Sequence, residues 1–207
     1  MRKLFLYLAL TLGLMSCSSH YVVVPPAVDL LAVEPIGLIT FTVNNAEGDL
    51  DEMATQVFLR ELTAFQKVPV LELGKFQAVL DKAGQSGLGP EAARAIAEHF
   101  KIKSFFYGEI QVSKVKHQVD LTGVLHGNLR ARASMTIAVT ARLMAGETGA
   151  TLWTNSAVVN GTVGVLSLSA DQVPRFGIKD KDEETMNMLS DLMFRLTWDF
   201  RPTRERL

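Results

Sequence analysis

Hydrophobic positions recur along this chain with two different periods, and the switches between them divide it into elements. Ile36 to Val43 (IGLITFTV) is rich in β-branched and aromatic residues and reads as a buried strand. Asn44-Asn45 and Gly48 mark a turn. Asp49 and Glu52 have capping-box spacing, and the helix behind them buries Met53, Val57, Phe58, Leu62 and Phe65. Val68 to Leu73 reads as a second short strand. A short helix through Phe76, Val79 and Leu80 follows, stopped by Gly84. Pro90 suits the first position of the next helix, which buries Ala93, Ile96, Ala97 and Phe100.

A long strand starts near Ser104, with Phe106, Gly108, Ile110 and Val112 on one face. Its apolar phase then moves to Val115, Val119 and Leu121, which predicts a bulge near Ser113 or Lys114. The stretch from Gly123 to Gly127 can turn the chain. Ala131, Ala133, Met135, Ile137, Val139, Ala141 and Leu143 then alternate with polar or small residues, as in a strand with one buried face. Gly146-Glu147-Thr148-Gly149 predicts a hairpin turn, and Ala150 to Val159 the returning strand. Val163 to Ala170 is open between a short strand and a loop. Asp180 and Glu183 repeat the capping-box spacing ahead of a last helix. Its stripe is Met186, Leu189, Met193, Leu196 and Phe200, expected to lie on the sheet, with a partner-binding seam as the alternative. Arg201, Arg204 and Arg206 read as a solvated basic end.

The resulting order is strand, helix, strand, helix, helix, long strand, strand, strand, helix. It predicts one α/β (α+β) sandwich over residues 35–207, with a mixed, largely antiparallel sheet of about five strands and about four helices.

The first residues follow neither period. Arg2 and Lys3 precede an almost wholly apolar run from Leu4 to Met15, too short for a permanent spanning helix and matching a signal-peptide core. The run ends in Leu14-Met15-Ser16-Cys17, the pattern of a bacterial lipobox. Residues 1–16 are thus expected to be cleaved and Cys17 to be acylated, with an ordinary signal peptide and a chance cysteine as the alternative. A single acyl chain binds a bilayer only marginally, whereas the three chains of a lipobox protein would hold it stably. Ser18 and Ser19 resemble the default outer-membrane destination in a two-membrane host. Residues 17–34, with Pro25-Pro26, are expected to form an extended tether.

Composition sharpens this picture in two respects. Losing Arg2 and Lys3 from 21 basic residues leaves 19 against 22 acids, a net charge of −3, so no basic field exists to gather nucleic acid. The single cysteine excludes an intrachain disulfide, and an exported protein with one thiol needs a use for it.

Four passages carry a family resemblance: the opening strand IGLITF, PVLELGKFQAVL, AIAEHFKIKSFFYGEI and the hairpin ARLMAGETGATLWTNS. In the hairpin, Thr148 and Gly149 occupy the turn, and Leu152 and Trp153 the return strand. Together they resemble the periplasmic domain of the curli-secretion-component family over roughly residues 36–200. That family's relatives include an outer-membrane lipoprotein that activates a penicillin-binding protein. The segment Pro25 to Leu30 (PPAVDL) resembles the opening of bacterial lipoproteins of this kind. The resemblance implies envelope anchoring, self-association or partner binding, and no catalysis. The curli channel inserts two β-hairpins per subunit into the outer membrane. Here residues 113–131 are crowded by Lys114, Lys116, Asp120 and Arg130, and residues 158–180 lose alternation after Leu168.

No catalytic or metal constellation emerges. His20, His99, His117 and His126 lack helical ligand spacing, although His117 and His126 could face each other across a hairpin at 113–131. No nucleophile elbow is present, and Gly84, Gly87 and Gly89 do not follow a strand in a phosphate-binding pattern. Glu72 and Glu109 lie in or beside strands and read as strand-edge or partnered acids, with a catalytic acid as the alternative, while Trp153 and Trp198 read as core or core-rim anchors before ligand platforms. The chain is therefore expected to be an outer-membrane lipoprotein facing the periplasm and held through Cys17. Its domain is expected to be non-enzymatic, to use no cofactor or metal, and to bind envelope proteins or itself. A curli-type pore subunit and an envelope hydrolase with an unfamiliar site are the alternatives.

Overall fold

The computed structural model describes residues 21–45, 49–113, 116–120, 129–168, 174–177 and 181–206, with backbone alone at 117–120, 129–133, 163–168, 174–177 and 181–184. In chain order the elements are β1 (Tyr21–Val24), β2 (Ile36–Thr40), β3 (Thr42–Asn44), α1 (Leu50–Thr63), β4 (Val70–Lys75), α2 (Phe76–Lys82) and α3 (Pro90–Phe100). Then come β5 (Ser104–Val112), β6 (Lys116–Asp120), β7 (Leu129–Ala145), β8 (Thr151–Leu168), β9 (Pro174–Gly177), α4 (Lys181–Leu196) and β10 (Thr203–Arg206). Single 3₁₀ turns cover Leu30–Val33 and Trp198–Phe200.

The main sheet runs β4-β2-β5-β7-β8-β9, with β3 added to β5 and β6 to β7. β2 is parallel to β4 and β5, whereas the pairs from β5 to β9 are antiparallel. This is the predicted α+β class with four helices. Among the described residues the main sheet has eight strands where about five were expected, because two expected strands are each broken in two and β9 is added.

Both breaks have local causes. In the first, the Phe41 amide leaves the ladder and donates to the Thr55 hydroxyl of α1 at 3.0 Å, separating β2 from β3. In the second, Val112 pairs with Ile137 but Lys116 pairs with Ser134, so four steps on one strand face three on the other. That is the bulge the phase change predicted.

Helices cover both faces of the β2 region. Ile36 and Leu38 pack with α1 and α4, whereas Ile39 packs with α2 and α3. Burial on both faces explains why IGLI is a continuous apolar run rather than an alternating one. The α1 side is built on aromatic contacts. Phe58 lies 5.1 Å from Phe41 and 5.3 Å from Phe106, and Phe106 reaches Phe200 at 5.6 Å. On β7, Ile137, Val139, Ala141 and Leu143 are buried as predicted, and Met135 is half-buried. The side chains of Ala131 and Ala133 fall outside the described set.

Several expectations are corrected. Asp49 makes no side-chain cap, because its backbone (φ −90°, ψ 28°) lacks the extended cap conformation, and Glu52 is drawn to Lys75 at 3.5 Å. Phe65 is 47 % exposed, because α1 stops at Thr63 and the helical phase stops with it. Residues 150–168 form one strand from Thr151, not two segments. Gly161 lies inside it, where a Cβ would stand 2.0 Å from Met188 Sδ, so α4 crosses there only because no side chain intervenes. On α4, Leu189, Met193 and Leu196 are buried as expected, but Met186 is exposed and Phe200 belongs to the following 3₁₀ turn. The Asp180 cap and the Gly123–Gly127 turn lie outside the described residues. Within the stretch read as an extended tether, the described residues 21–34 are partly built into the fold. Tyr21–Val24 pairs antiparallel with Thr203–Arg206, and Leu30 is wholly buried in the core.

The β7–β8 turn is locked against α3. A Cβ on Gly146 would stand 2.2 Å from Ala97 Cβ and 3.0 Å from the Lys103 carbonyl, whereas one on Gly87 would meet nothing within 4 Å. Gly146→Ala is expected to destabilise the fold by about 1–3 kcal/mol. Gly87→Ala should change it by less than about 0.5 kcal/mol. Urea denaturation of both variants measures the contrast, and equal midpoints would refute the close approach.

Candidate functional site

Cys17, the predicted lipidation residue, lies outside the described residues; the description starts four positions later, at Tyr21. From there β1 and β10 form a separate two-stranded ribbon with Tyr21 opposite Arg206 and Val24 opposite Thr203. The ribbon joins the body where three segments meet. Val28 N–H donates to the Asp199 carbonyl at 3.2 Å, and Gln66 Nε2 donates to the carbonyls of Val28 and Phe200, each at 3.1 Å. Trp153 Nε1 donates to Asp199 Oδ2 at 2.9 Å, so the same turn is held by the core.

Beside this junction lies Arg201, expected to be solvated and in fact 6 % exposed. Its Nη2 donates to Glu61 Oε2 at 2.9 Å and to Thr197 Oγ1 at 3.2 Å. Its guanidinium carbon lies 3.8 Å from the Phe194 ring centroid and 4.8 Å from that of Phe65. Stacking on rings and pairing with a carboxylate offset the cost of removing the charge from water. Phe194 in turn contacts Trp198 at 5.9 Å. Trp198, expected at the core or its rim, is 51 % exposed: it follows the end of α4 on a turn whose Phe200 takes the core position instead. Trp153 is buried as expected. Phe194, Trp198 and Arg201 follow helical steps of four and three, but α4 ends at Leu196 and Phe65 comes from beyond α1, so no local pattern signalled the cluster.

The other candidates are dispersed. Glu72 accepts from Gln56 Nε2 at 2.7 Å, and Glu109 accepts from Asn44 Nδ2. His99 packs edge-on against Phe100. His117 pairs across the ladder with Ala133, while His20 and His126 lie outside the described residues. Among the described residues no group of three His, Cys, Asp or Glu could hold a metal. The exposed Lys75 ammonium is raised above its usual range by its hydrogen bond to Asp51 and by the charges of Asp51 and Glu52. An open hollow of about 610 Å³ lies between α3 and the β7–β8 turn. Arg94, Glu98, Lys103 and Glu147 rim it, Leu152 contributes an apolar wall, and Arg94 Nε donates to the Glu147 carbonyl at 2.9 Å.

No helix among the described residues is long and apolar enough to cross a membrane. In the two segments where membrane hairpins were sought, the described strands are β6 with the start of β7, and the end of β8 with β9; the residues between the strands of each pair lie outside the described residues.

No family model and no curated protein sequence matches the chain. Solved structures do resemble it. The PelC dodecamer from Paraburkholderia phytofirmans is 13 % identical over 88 % of this chain and 98 % of its own, with a TM-score of 0.48. The C-terminal domain of LpoB from Salmonella enterica is 17 % identical over 63 % of this chain and 89 % of its own, with a TM-score of 0.38. Lipoprotein GNA1162 from Neisseria meningitidis is 14 % identical over 61 % of this chain and 82 % of its own, with a TM-score of 0.37.

Removing Glu61 would strand the buried guanidinium. Glu61→Ala is expected to cost about 3 kcal/mol. Asp191→Ala, which breaks the exposed pair with Arg195, should cost less than about 1 kcal/mol. Urea unfolding compares the two, and a similar loss in both would refute a special role for the Arg201 site.

Proposed function

We propose that this chain is an outer-membrane lipoprotein, acylated at Cys17 and facing the periplasm, whose α+β domain acts without catalysis by binding envelope proteins or itself. The observation that carries the reading is the Leu14-Met15-Ser16-Cys17 pattern after a basic start and an apolar run. The structure supports it through placement. The paired chain begins four residues beyond Cys17 on a ribbon set apart from the main sheet, so acyl chains there would leave the body free to fold. Support for a binding role comes from the side chains that could do chemistry. The sheet acids Glu72 and Glu109 are engaged by Gln56 and Asn44, and the buried cation Arg201 is engaged by Glu61 and two rings.

Radiolabelled palmitate should mark the wild-type protein and leave Cys17→Ala unmarked; equal labelling would remove the anchor. Crosslinking in cells followed by mass spectrometry should capture a defined envelope protein or an oligomer of this chain. A monomer without crosslinked partners would remove the binding role.

A further inference from the structure

The exposed aromatic side chains among the described residues are Tyr21, Phe65, Phe194 and Trp198, between 44 % and 59 % exposed. Three of them adjoin the place where the leading strand enters the body, and the fourth begins that strand. We propose that Phe65, Phe194 and Trp198, together with the β1–β10 ribbon, form a docking surface for the headgroup region of a phospholipid bilayer. This rests on the reading of Cys17 as the acylated residue and adds to it a second contact, made by protein, that orients the domain.

The arrangement at Arg201 is the first argument. The cation is buried while the rings stacked on it are exposed, 47 % for Phe65 and 44 % for Phe194. Water alone favours the opposite placement, with the charge outside and the rings inside. A bilayer interface favours what is seen, because aromatic rings partition to the headgroup level, Trp above all. The Glu61 bond and the two ring contacts hold Phe65 and Phe194 in place, so little side-chain freedom is lost on docking.

The second argument is reach. Four chain steps lead from Cys17 to Tyr21 and span at most about 14 Å, so an acylated Cys17 keeps the ribbon beside the bilayer. The ribbon carries Tyr21, Val22 and Val23, which are 59, 43 and 62 % exposed. An isolated two-stranded ribbon is marginal in water, and a lipid surface would cover its apolar side chains. Charge gives the third argument. Arg204 and Arg206 are exposed on β10 with Glu205 between them, and guanidinium groups there can pair with lipid phosphates. From Thr203, opposite Val24, the chain is two residues from Arg201, so ribbon and aromatic cluster are continuous.

The test uses the full acylated protein in vesicles of phosphatidylethanolamine and phosphatidylglycerol, with and without bromine on the acyl chains. The chain has two tryptophans, and Trp153 is buried at 7 % exposure, so a bromine effect reports on Trp198. Brominated lipid should lower wild-type emission at least about two-fold more than that of Trp198→Phe, as expected for an indole at headgroup depth. Flotation and palmitate labelling are read on the same samples. Labelled, floating protein whose emission bromine leaves unchanged overturns the docking surface and keeps the anchor. Unlabelled protein that does not float overturns both. A benzophenone at position 194 should yield lipid adducts. Chain dimers in their place would assign the surface to a second copy and overturn the proposal.

Discussion

The packing of Phe106 against its aromatic neighbours is the contact on which the rest of this structure depends. Phe58 from α1, Trp153 from β8 and Phe200 from the C-terminal turn surround it within 5.3–6.0 Å, and Trp153 and Phe200 meet at 4.7 Å. Aromatic side chains bury large areas and prefer tilted or edge-on contacts, and all of these are of that kind. The cluster therefore fixes α1, the sheet and the chain's end relative to one another. Because Trp153 also donates to Asp199, and Asp199 accepts from Val28, the leading segment is fastened to the same point.

On the proposed reading of Cys17, this fastening has a functional consequence. A domain held by lipid on one cysteine can swing unless something else orients it. The ribbon and the aromatic cluster around Arg201 lie where the leading segment meets the body, at a junction held by hydrogen bonds from Val28, Gln66 and Trp153. The hollow beside α3 belongs to a different region, over the packing of Ile39 with α2 and α3.

Much of the element order was legible because it depends on local periodicity. The alternation through β7 placed Ile137, Val139, Ala141 and Leu143 inside, and the shift of phase after Val112 located a bulge that the register bears out. Readings failed where a distant element intervened. Residues 150–159 read as one strand, with 163–170 left open as a separate strand or a loop, yet Thr151–Leu168 is a single strand on which α4 presses at Gly161. Arg201 reads as a solvated end, yet Glu61, 140 residues away, and two separate rings enclose it. Pro25-Pro26 suggested an extended tether, yet strand pairing of Tyr21–Val24 with β10 and the burial of Leu30 build this stretch into the fold.

By itself, then, the sequence determined the succession of strands and helices, the turn at Gly146–Gly149 and the lipobox pattern ending at Cys17. Each of these is encoded within a few neighbouring residues, by period, by backbone preference or by a short motif. Tertiary structure alone decided which aromatic residues became core and which became surface, that a charge could be buried at Arg201, and that Tyr21–Val24 pairs with Thr203–Arg206. Those outcomes depend on residues far apart in sequence meeting in space, and no local pattern records such a meeting.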